Sequence, residues 1–184
     1  MFNLNLLIMK KVLLSAVVVM MSFVASAQVW MGGSLGLDFT SADDEVMTTF
    51  SFAPEVGYSL NDKWDIAIAL NESFVVYDDI FANSISVEPY ARYTFAEANI
   101  ASFFVEGGIG IGATELGIDG DILGDSATEF YIGFRPGVKV ALSDKVGLVA
   151  KLGFFGYQHV ADSYSNFGLN INNNSLTFGM YWNF

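Results

Sequence analysis

The sequence contains no cysteine, only three prolines, and only eight lysines and arginines against twenty aspartates and glutamates. Without cysteine, the chain can form no disulfide and cannot be anchored as a lipoprotein. The formal charge is −12, and the few cations after residue 27 are scattered along the chain, so no basic patch is expected for nucleic acid or another polyanion. After residue 27, no apolar run approaches the ~20 residues that a membrane-spanning helix needs. Since 53% of the residues are hydrophobic, the apolar side chains must be arranged in another way.

The first 27 residues have the layout of a secretory signal peptide. Lys10 and Lys11 precede an apolar stretch at 12–24, and Ala-Ser-Ala at 25–27 supplies a small-x-small cleavage pattern. The apolar stretch has about 13 residues, too few for the ~20 of a spanning helix. We therefore expect an exported protein cleaved after this triplet, with Met9 as a second candidate for the start.

Residues 28–184 predict a single domain in which apolar and polar residues alternate. Successive residues of a strand point to opposite faces, so each alternating segment has one apolar and one polar face. Eight segments follow this pattern: 28–39, 48–60, 64–76, 85–96, 100–113, 128–142, 146–158 and 176–184. Their lengths suit the roughly 9–11 residues with which a tilted strand crosses a membrane. The prediction is an all-β fold, an eight-stranded antiparallel up-and-down transmembrane β-barrel.

The connections between these segments alternate between long and short along the chain. Those after the second, fourth and sixth segments are tight, whereas the others are longer, especially 114–127 and 159–174. Transmembrane barrels have short periplasmic turns and longer outer loops. We therefore expect both termini of the barrel in the periplasm and the longer loops outside the cell.

Three features carry a resemblance to a known family. They are the signal peptide ending in Ala-Ser-Ala-Gln, the hairpin Pro-Glu-Val-Gly-Tyr-Ser-Leu-Asn-Asp-Lys at 54–63, and the aromatic terminus. The chain resembles the Gram-negative porin-like outer-membrane β-barrel domain family, which is similar in architecture to OmpX and the OmpA transmembrane domain. This resemblance implies an outer-membrane location, contact with lipid and lipopolysaccharide, and a final strand read by the outer-membrane insertion machinery through Trp182 and Phe184. It transfers no catalytic residue.

Charged residues recur at inward positions of the predicted strands. The cations are Arg92, Arg135, Lys139 and Lys151, and the facing acids are Glu55, Glu88, Glu106 and Glu129. Unpaired charges at this depth would cost several kcal/mol each, so we expect a paired network in the lumen. Glu106 is predicted to be reached by Arg92, Arg135 and Lys139, because their strands are neighbours. The network either fills the lumen of a barrel just wide enough for side chains, or plugs a gated ion path.

The predicted outer loops contain acids and no cation. The ten acids are Asp43, Asp44, Glu45, Asp78, Asp79, Glu115, Asp119, Asp121, Asp125 and Asp162. Loose Mg²⁺ or Ca²⁺ bridging to lipopolysaccharide phosphates suits them better than a dedicated metal site, because Asp119, Asp121 and Asp125 do not follow the calcium-loop pattern. Glu72 breaks the alternation, and we expect it either near the outer interface or turned inward by a bulge.

The single histidine, His159, begins the last outer loop near Asp162 and Ser163. A serine activated by a histidine and an oriented acid is the arrangement of a hydrolytic centre. These residues match no known motif, so an ordinary loop histidine is the preferred interpretation. No cofactor is expected.

The sequence favours a non-enzymatic, monomeric integral outer-membrane protein with a lumen filled by polar side chains. Its acidic outer loops are expected to serve envelope integrity or surface interaction, with an unidentified extracellular ligand. The alternatives are a narrow porin-like channel for ions or small solutes and a lipid A-modifying enzyme at the outer rim.

Overall fold

The computed structural model describes residues 28–42, 45–119, 121–124, 126–161, 164–170 and 176–184. Eleven strands follow one another in this part of the chain: β1 (Val29–Ala42), β2 (Glu45–Ser59), β3 (Trp64–Tyr77), β4 (Ile80–Ala98), β5 (Ala101–Ile118), β6 (Asp121–Ile122), β7 (Ala127–Ala141), β8 (Val146–Leu152), β9 (Phe154–Val160), β10 (Tyr164–Asn170) and β11 (Leu176–Asn183). Within these residues, no helix is long and apolar enough to cross a membrane.

The strands close into one antiparallel barrel with eight strand positions. From β1 to β5 each strand pairs with the next, β5 pairs with β7, and β11 pairs with β1. The seventh position is shared by β8 and β9, which both pair with β7, and the eighth by β10 and β11. The short β6 only extends the edge of β5. The predicted eight-stranded antiparallel barrel is confirmed.

The wall of the barrel has an apolar outer face. Ile66, Ile109 and Phe178 remain 47%, 48% and 62% exposed although they are large and apolar. Such exposure is unfavourable in water, but lipid solvates these side chains. The residues between them point into the lumen, where the buried polar and charged side chains lie. The two-residue alternation therefore separates a lipid face from a polar interior.

The hairpins at the far end, opposite the termini, run further than the sequence predicted. β3 and β4 are joined by the two residues 78–79, and β10 occupies 164–170, which was predicted as loop. Asp78 and Asp119 have φ angles of 51° and 53°, a left-handed conformation that aspartate tolerates in tight turns. The expectation of longer loops at this end was wrong at both hairpins, because the backbone groups there pair with each other.

The prolines interrupt the strand pairing without a common bulge. The β2–β3 pairing skips Pro54 and the β4–β5 pairing skips Pro89, both without a change of register. Proline has no N–H to donate, so these gaps follow from its chemistry. Near Pro136 the opposite strand is broken at Gly153, whose φ of 66° separates β8 from β9. The register of β7 with these two strands changes by one residue at this point.

Candidate functional site: the charge clusters of the lumen

Four charged side chains form a cluster in the lumen, hereafter the four-charge cluster: Glu55, Arg92, Glu106 and Lys151. Strand alternation places them at inward positions of β2, β4, β5 and β8, and each is at most 9% exposed. Two cations and two anions buried together have no net charge, which is the arrangement that limits the cost of desolvation.

Each charge in this cluster contacts an opposite charge. The Nε and Nη2 atoms of Arg92 donate to Glu106 Oε1 at 3.0 and 2.7 Å. Lys151 Nζ donates to Glu55 Oε2 at 2.8 Å and lies 3.3 Å from Glu106 Oε2. Arg92 Nη2 also lies 3.7 Å from Glu55 Oε1. The four groups thus form a closed ring of ion pairs.

Aromatic rings enclose the guanidinium of Arg92. Its central carbon lies 4.8 Å from the centre of the Trp30 ring and 4.6 Å from that of Phe104. The Tyr90 hydroxyl donates to Glu55 Oε2 at 2.7 Å and accepts from Arg92 Nη2 at 3.3 Å. Cation–π contacts and the tyrosine hydroxyl replace the water that the charges lose. Both Arg92 and Glu106 are only 2% exposed, so the lumen is closed at this level.

A second cluster, hereafter the Glu88 cluster, lies on the far-end side of the first. Arg135 Nη1 donates to both carboxylate oxygens of Glu88, at 2.7 and 2.9 Å. The Tyr131 hydroxyl donates to Glu88 Oε2 at 2.9 Å and accepts from Asn71 Nδ2 at 3.0 Å. The buried carboxylate of Glu88 is held in place because it also has neutral hydrogen-bond partners. Tyr131 and Asn71 supply these partners.

The detailed pairing predicted for Glu106 was wrong for Arg135 and Lys139. Arg135 lies opposite Glu106 in the β5–β7 register, but its guanidinium bonds Glu88. Lys139 Nζ lies 4.1 Å from the centre of the Tyr181 ring. A narrow lumen allows long side chains to bridge strands that are not neighbours. Lys151 of β8 contacts the second carboxylate oxygen of Glu106 in this way.

Glu129 belongs to neither cluster. Its Oε1 accepts a hydrogen bond from Gln158 Nε2 at 2.8 Å, nearer the far end. The alternation places Tyr90, Tyr131 and Asn71 on the polar face, where they were assigned no role, and Trp30 was missed. Their inward position in the alternation was the available signal.

Polar cavities lie on either side of the clusters. The far-end cavity, of about 380 Å³, is lined by Asn71, Ser73, Ser84, Ser86, Glu129, Tyr131, Arg135, Phe154 and Gln158. The cavity at the termini end, of about 320 Å³, is lined by Gln28, Ser59, Asn61, Asp62, Asp65, Thr94, Glu97, Ser102 and Lys139. The two charge clusters therefore lie between two polar spaces of the lumen, each large enough to hold several water molecules.

The other candidate residues lie apart from the clusters. His159 Nδ1 is 2.8 Å from Ser165 Oγ on the β9–β10 hairpin, whereas Asp162 and Ser163 lie outside the described residues. The pairing on both sides of Glu72 is regular, so it stays on the outward face with Phe74 and is not turned inward by a bulge. In the described ranges, no three histidines or acids lie together as a metal site would require.

A family model described as the outer membrane protein beta-barrel domain matches residues 12–184. The chain belongs to this family. The protein is accordingly a Gram-negative outer-membrane β-barrel, in contact with membrane lipid and lipopolysaccharide. The prediction of family and location is confirmed.

Solved structures share the fold of this outer-membrane barrel at low sequence identity. Neisserial surface protein A (NspA) is 17% identical with a TM-score of 0.56, covering 86% of this chain and 98% of its own. The N-terminal β-barrel domain of Pseudomonas aeruginosa OprF is 16% identical with a TM-score of 0.53, covering 85% and 98%. A search of curated proteins finds no match to the chain. These likenesses establish the architecture and carry no ligand or activity over to this protein.

Proposed function

We propose that this protein is a non-enzymatic, monomeric barrel with a closed lumen, which acts in envelope integrity or surface interaction through its acidic far end. In this proposal the termini face the periplasm and the far end faces the outside. The observation that carries it is the burial of Arg92 and Glu106, each 2% exposed, in a ring of ion pairs across the lumen. A permanent pore would keep such charges in contact with water.

The charge of the far end supports a role outside the cell. In the described part of the chain beyond Glu129 there is no lysine or arginine, whereas Glu72, Asp78, Asp79, Glu115, Asp119 and Asp121 are acids. A surface with one sign of charge attracts counter-ions and basic partners. Mg²⁺ or Ca²⁺ would bridge these carboxylates to lipopolysaccharide phosphates, which links the surface to envelope integrity.

Conductance tests the closed lumen directly. Wild-type protein in planar bilayers is expected to show no steady current. A stable, cation-selective current from the wild type would overturn the proposal and support the channel.

The acidic end is tested in cells. We expect a variant with Asp78, Asp79, Asp119 and Asp121 all replaced by Asn to admit more hydrophobic dye than the wild type when Mg²⁺ is limiting. Replacement of the termini-end acids Asp62 and Asp144 by Asn is the matched control. Equal dye entry in the two variants would contradict a role of the far end in envelope integrity.

A narrow channel is the second candidate, and the two polar cavities favour it. They leave only the charge clusters between the two ends of the lumen. This candidate requires both clusters to rearrange, with Lys151 and Arg135 leaving their acids and Arg92 leaving its place beside Trp30, until the cavities connect. Conduction that begins only under an applied stimulus, and that a Lys151→Met variant alters, would favour this candidate.

A lipid A-modifying enzyme is the third candidate, and it rests on the contact between His159 and Ser165. A serine nucleophile needs a base that a third group orients. The hydrogen bonds found among the described residues give His159 no acidic partner. We expect the mass spectrum of lipid A to be the same in cells with the wild type, with His159→Ala and without the protein.

A further inference from the structure

The outer face of the barrel is not uniformly convex. A groove of about 920 Å³ runs from the start of β1 over β2, β3, β4, β5 and β7, within the size range of small-molecule sites, roughly 300–1,000 Å³. No charged residue lines it, and its surface is mostly apolar, so the groove suits an apolar ligand better than a charged one. The groove is hereafter called the outer groove.

Small side chains create the outer groove. Ala91 and Gly107 are opposite each other on β4 and β5, and both occupy outward positions. The residues paired with them on the neighbouring strands are larger. Ile66 of β3 lies beside Ala91, and Phe134 of β7 lies beside Gly107. The depression is therefore a product of residue size at paired positions and follows the strands within the lipid-facing wall.

The foot of the outer groove lies at the termini end. Trp64 and Tyr93 face each other there with ring centres 4.7 Å apart, and both line the groove. Aromatic residues of this kind mark the membrane interface of transmembrane barrels. The exposed Lys63 precedes Trp64, and its carbonyl accepts a hydrogen bond from the Thr94 N–H at 2.8 Å. Lys63 thus lies next to the aromatic pair in an exposed turn, from which its flexible side chain can extend to the level of a lipid phosphate.

We propose that the outer groove seats an acyl chain of one phospholipid, whose phosphate pairs with Lys63. An acyl chain matches the long, uncharged lining, and a phosphate matches the cation at its foot. The choice of a phospholipid rests on the proposed orientation, in which the foot of the groove faces the periplasmic leaflet. The binding itself requires only the groove and the cation.

Two pairs of variants test whether the outer groove and its neighbouring cation bind the lipid. Ala91→Phe fills it, whereas Ala150→Phe adds the same ring at an outward position of β8, away from the groove. Lys63→Gln removes the cation at the foot, whereas Lys145→Gln removes the cation of another turn at the same end, near Asn183. All four changes lie on the surface of the barrel, and the shift of folded barrels in unheated gels verifies folding.

The experiment is native mass spectrometry of the full barrel, extracted from membranes in mild detergent. We expect a single phospholipid to remain on the wild type, Ala150→Phe and Lys145→Gln. Ala91→Phe should lose it, and Lys63→Gln should retain a smaller fraction. Absence of phospholipid on the wild type, retention of lipopolysaccharide in its place, or equal retention by Ala91→Phe would overturn the proposal. Phospholipid retention does not depend on whether the lumen conducts ions. The proposal of a closed lumen and the proposal of a bound phospholipid can therefore be refuted independently.

Discussion

Lys151 reaches across the lumen to Glu55. Its Nζ atom lies 2.8 Å from Glu55 Oε2, although β11 and β1 separate their strands in the barrel wall. The same ammonium group is 3.3 Å from Glu106. One cation therefore joins acids on β2 and β5, neither of which pairs with β8, and the four-charge cluster acts as a crosslink of the barrel as well as a closure.

Removal of one acid from this crosslink should destabilise the barrel. We expect Glu106→Ala to lower the free energy of unfolding by about 3–5 kcal/mol, because Arg92 and Lys151 then share the single carboxylate of Glu55 and the cluster keeps an excess buried positive charge. The measurement is equilibrium unfolding in urea of protein folded into lipid vesicles. Glu129→Ala, which removes only the hydrogen bond with Gln158, should cost about 1 kcal/mol. Equal costs for the two variants would refute a special role of the cluster.

The lipid face should reject charge according to depth. Ile109→Arg places a cation on the outer face midway along β5, and we expect a loss of about 2–4 kcal/mol in the same unfolding measurement. Asp79→Arg, in the exposed turn between β3 and β4, should change stability by no more than about 0.5 kcal/mol. If the order of the two effects were reversed, the assignment of the outer face would be wrong.

A glycine of the lumen makes room for the tyrosine of the Glu88 cluster. A Cβ atom at Gly110 would lie 1.9 Å from Tyr131 Cζ, so the ring would have to leave its place beside Glu88. We expect Gly110→Ala to cost about 1–3 kcal/mol of stability through this clash. Gly168→Ala is the control, because no atom lies within 4 Å of its Cβ position. An unchanged urea midpoint for Gly110→Ala would show that Tyr131 is not held in place.

The aromatic residues of the last strand should act in assembly. Phe184→Ala and Trp182→Ala are expected to reduce the amount of folded barrel in the outer membrane. The reason is that the insertion machinery should recognise the altered last strand less well. Phe178→Ala changes another outward aromatic residue of β11 and serves as the control. The yield is measured by fractionation of cells at equal expression. Normal yield of Phe184→Ala and Trp182→Ala would show that these side chains carry no such information.

The sequence did not predict the length of the far-end hairpins or the presence of the outer groove. The alternation at 64–76 predicted β3 almost to its end, but 164–170 contains polar residues and was predicted as loop. Those residues form β10 because β9 beside them offers backbone partners. In the same way, Ala91 and Gly107 are ordinary small residues in the sequence. They become a groove only when the register places them side by side.

The sequence by itself determined the eight alternating segments and, apart from β9, which of their residues point inward. After the break at Gly153 the faces of β9 are reversed, so Phe154, which the alternation places on the lipid face, lies in the lumen beside Tyr131. Alternation with a period of two is a local property of the chain, so it can be recognised in each segment without knowledge of the others. Only the tertiary structure decided which inward charges meet, such as Arg135 with Glu88 and Lys151 with Glu55. Those partners depend on the stagger of the strands and on how far a side chain extends across a narrow lumen. Both quantities exist only once the barrel is closed.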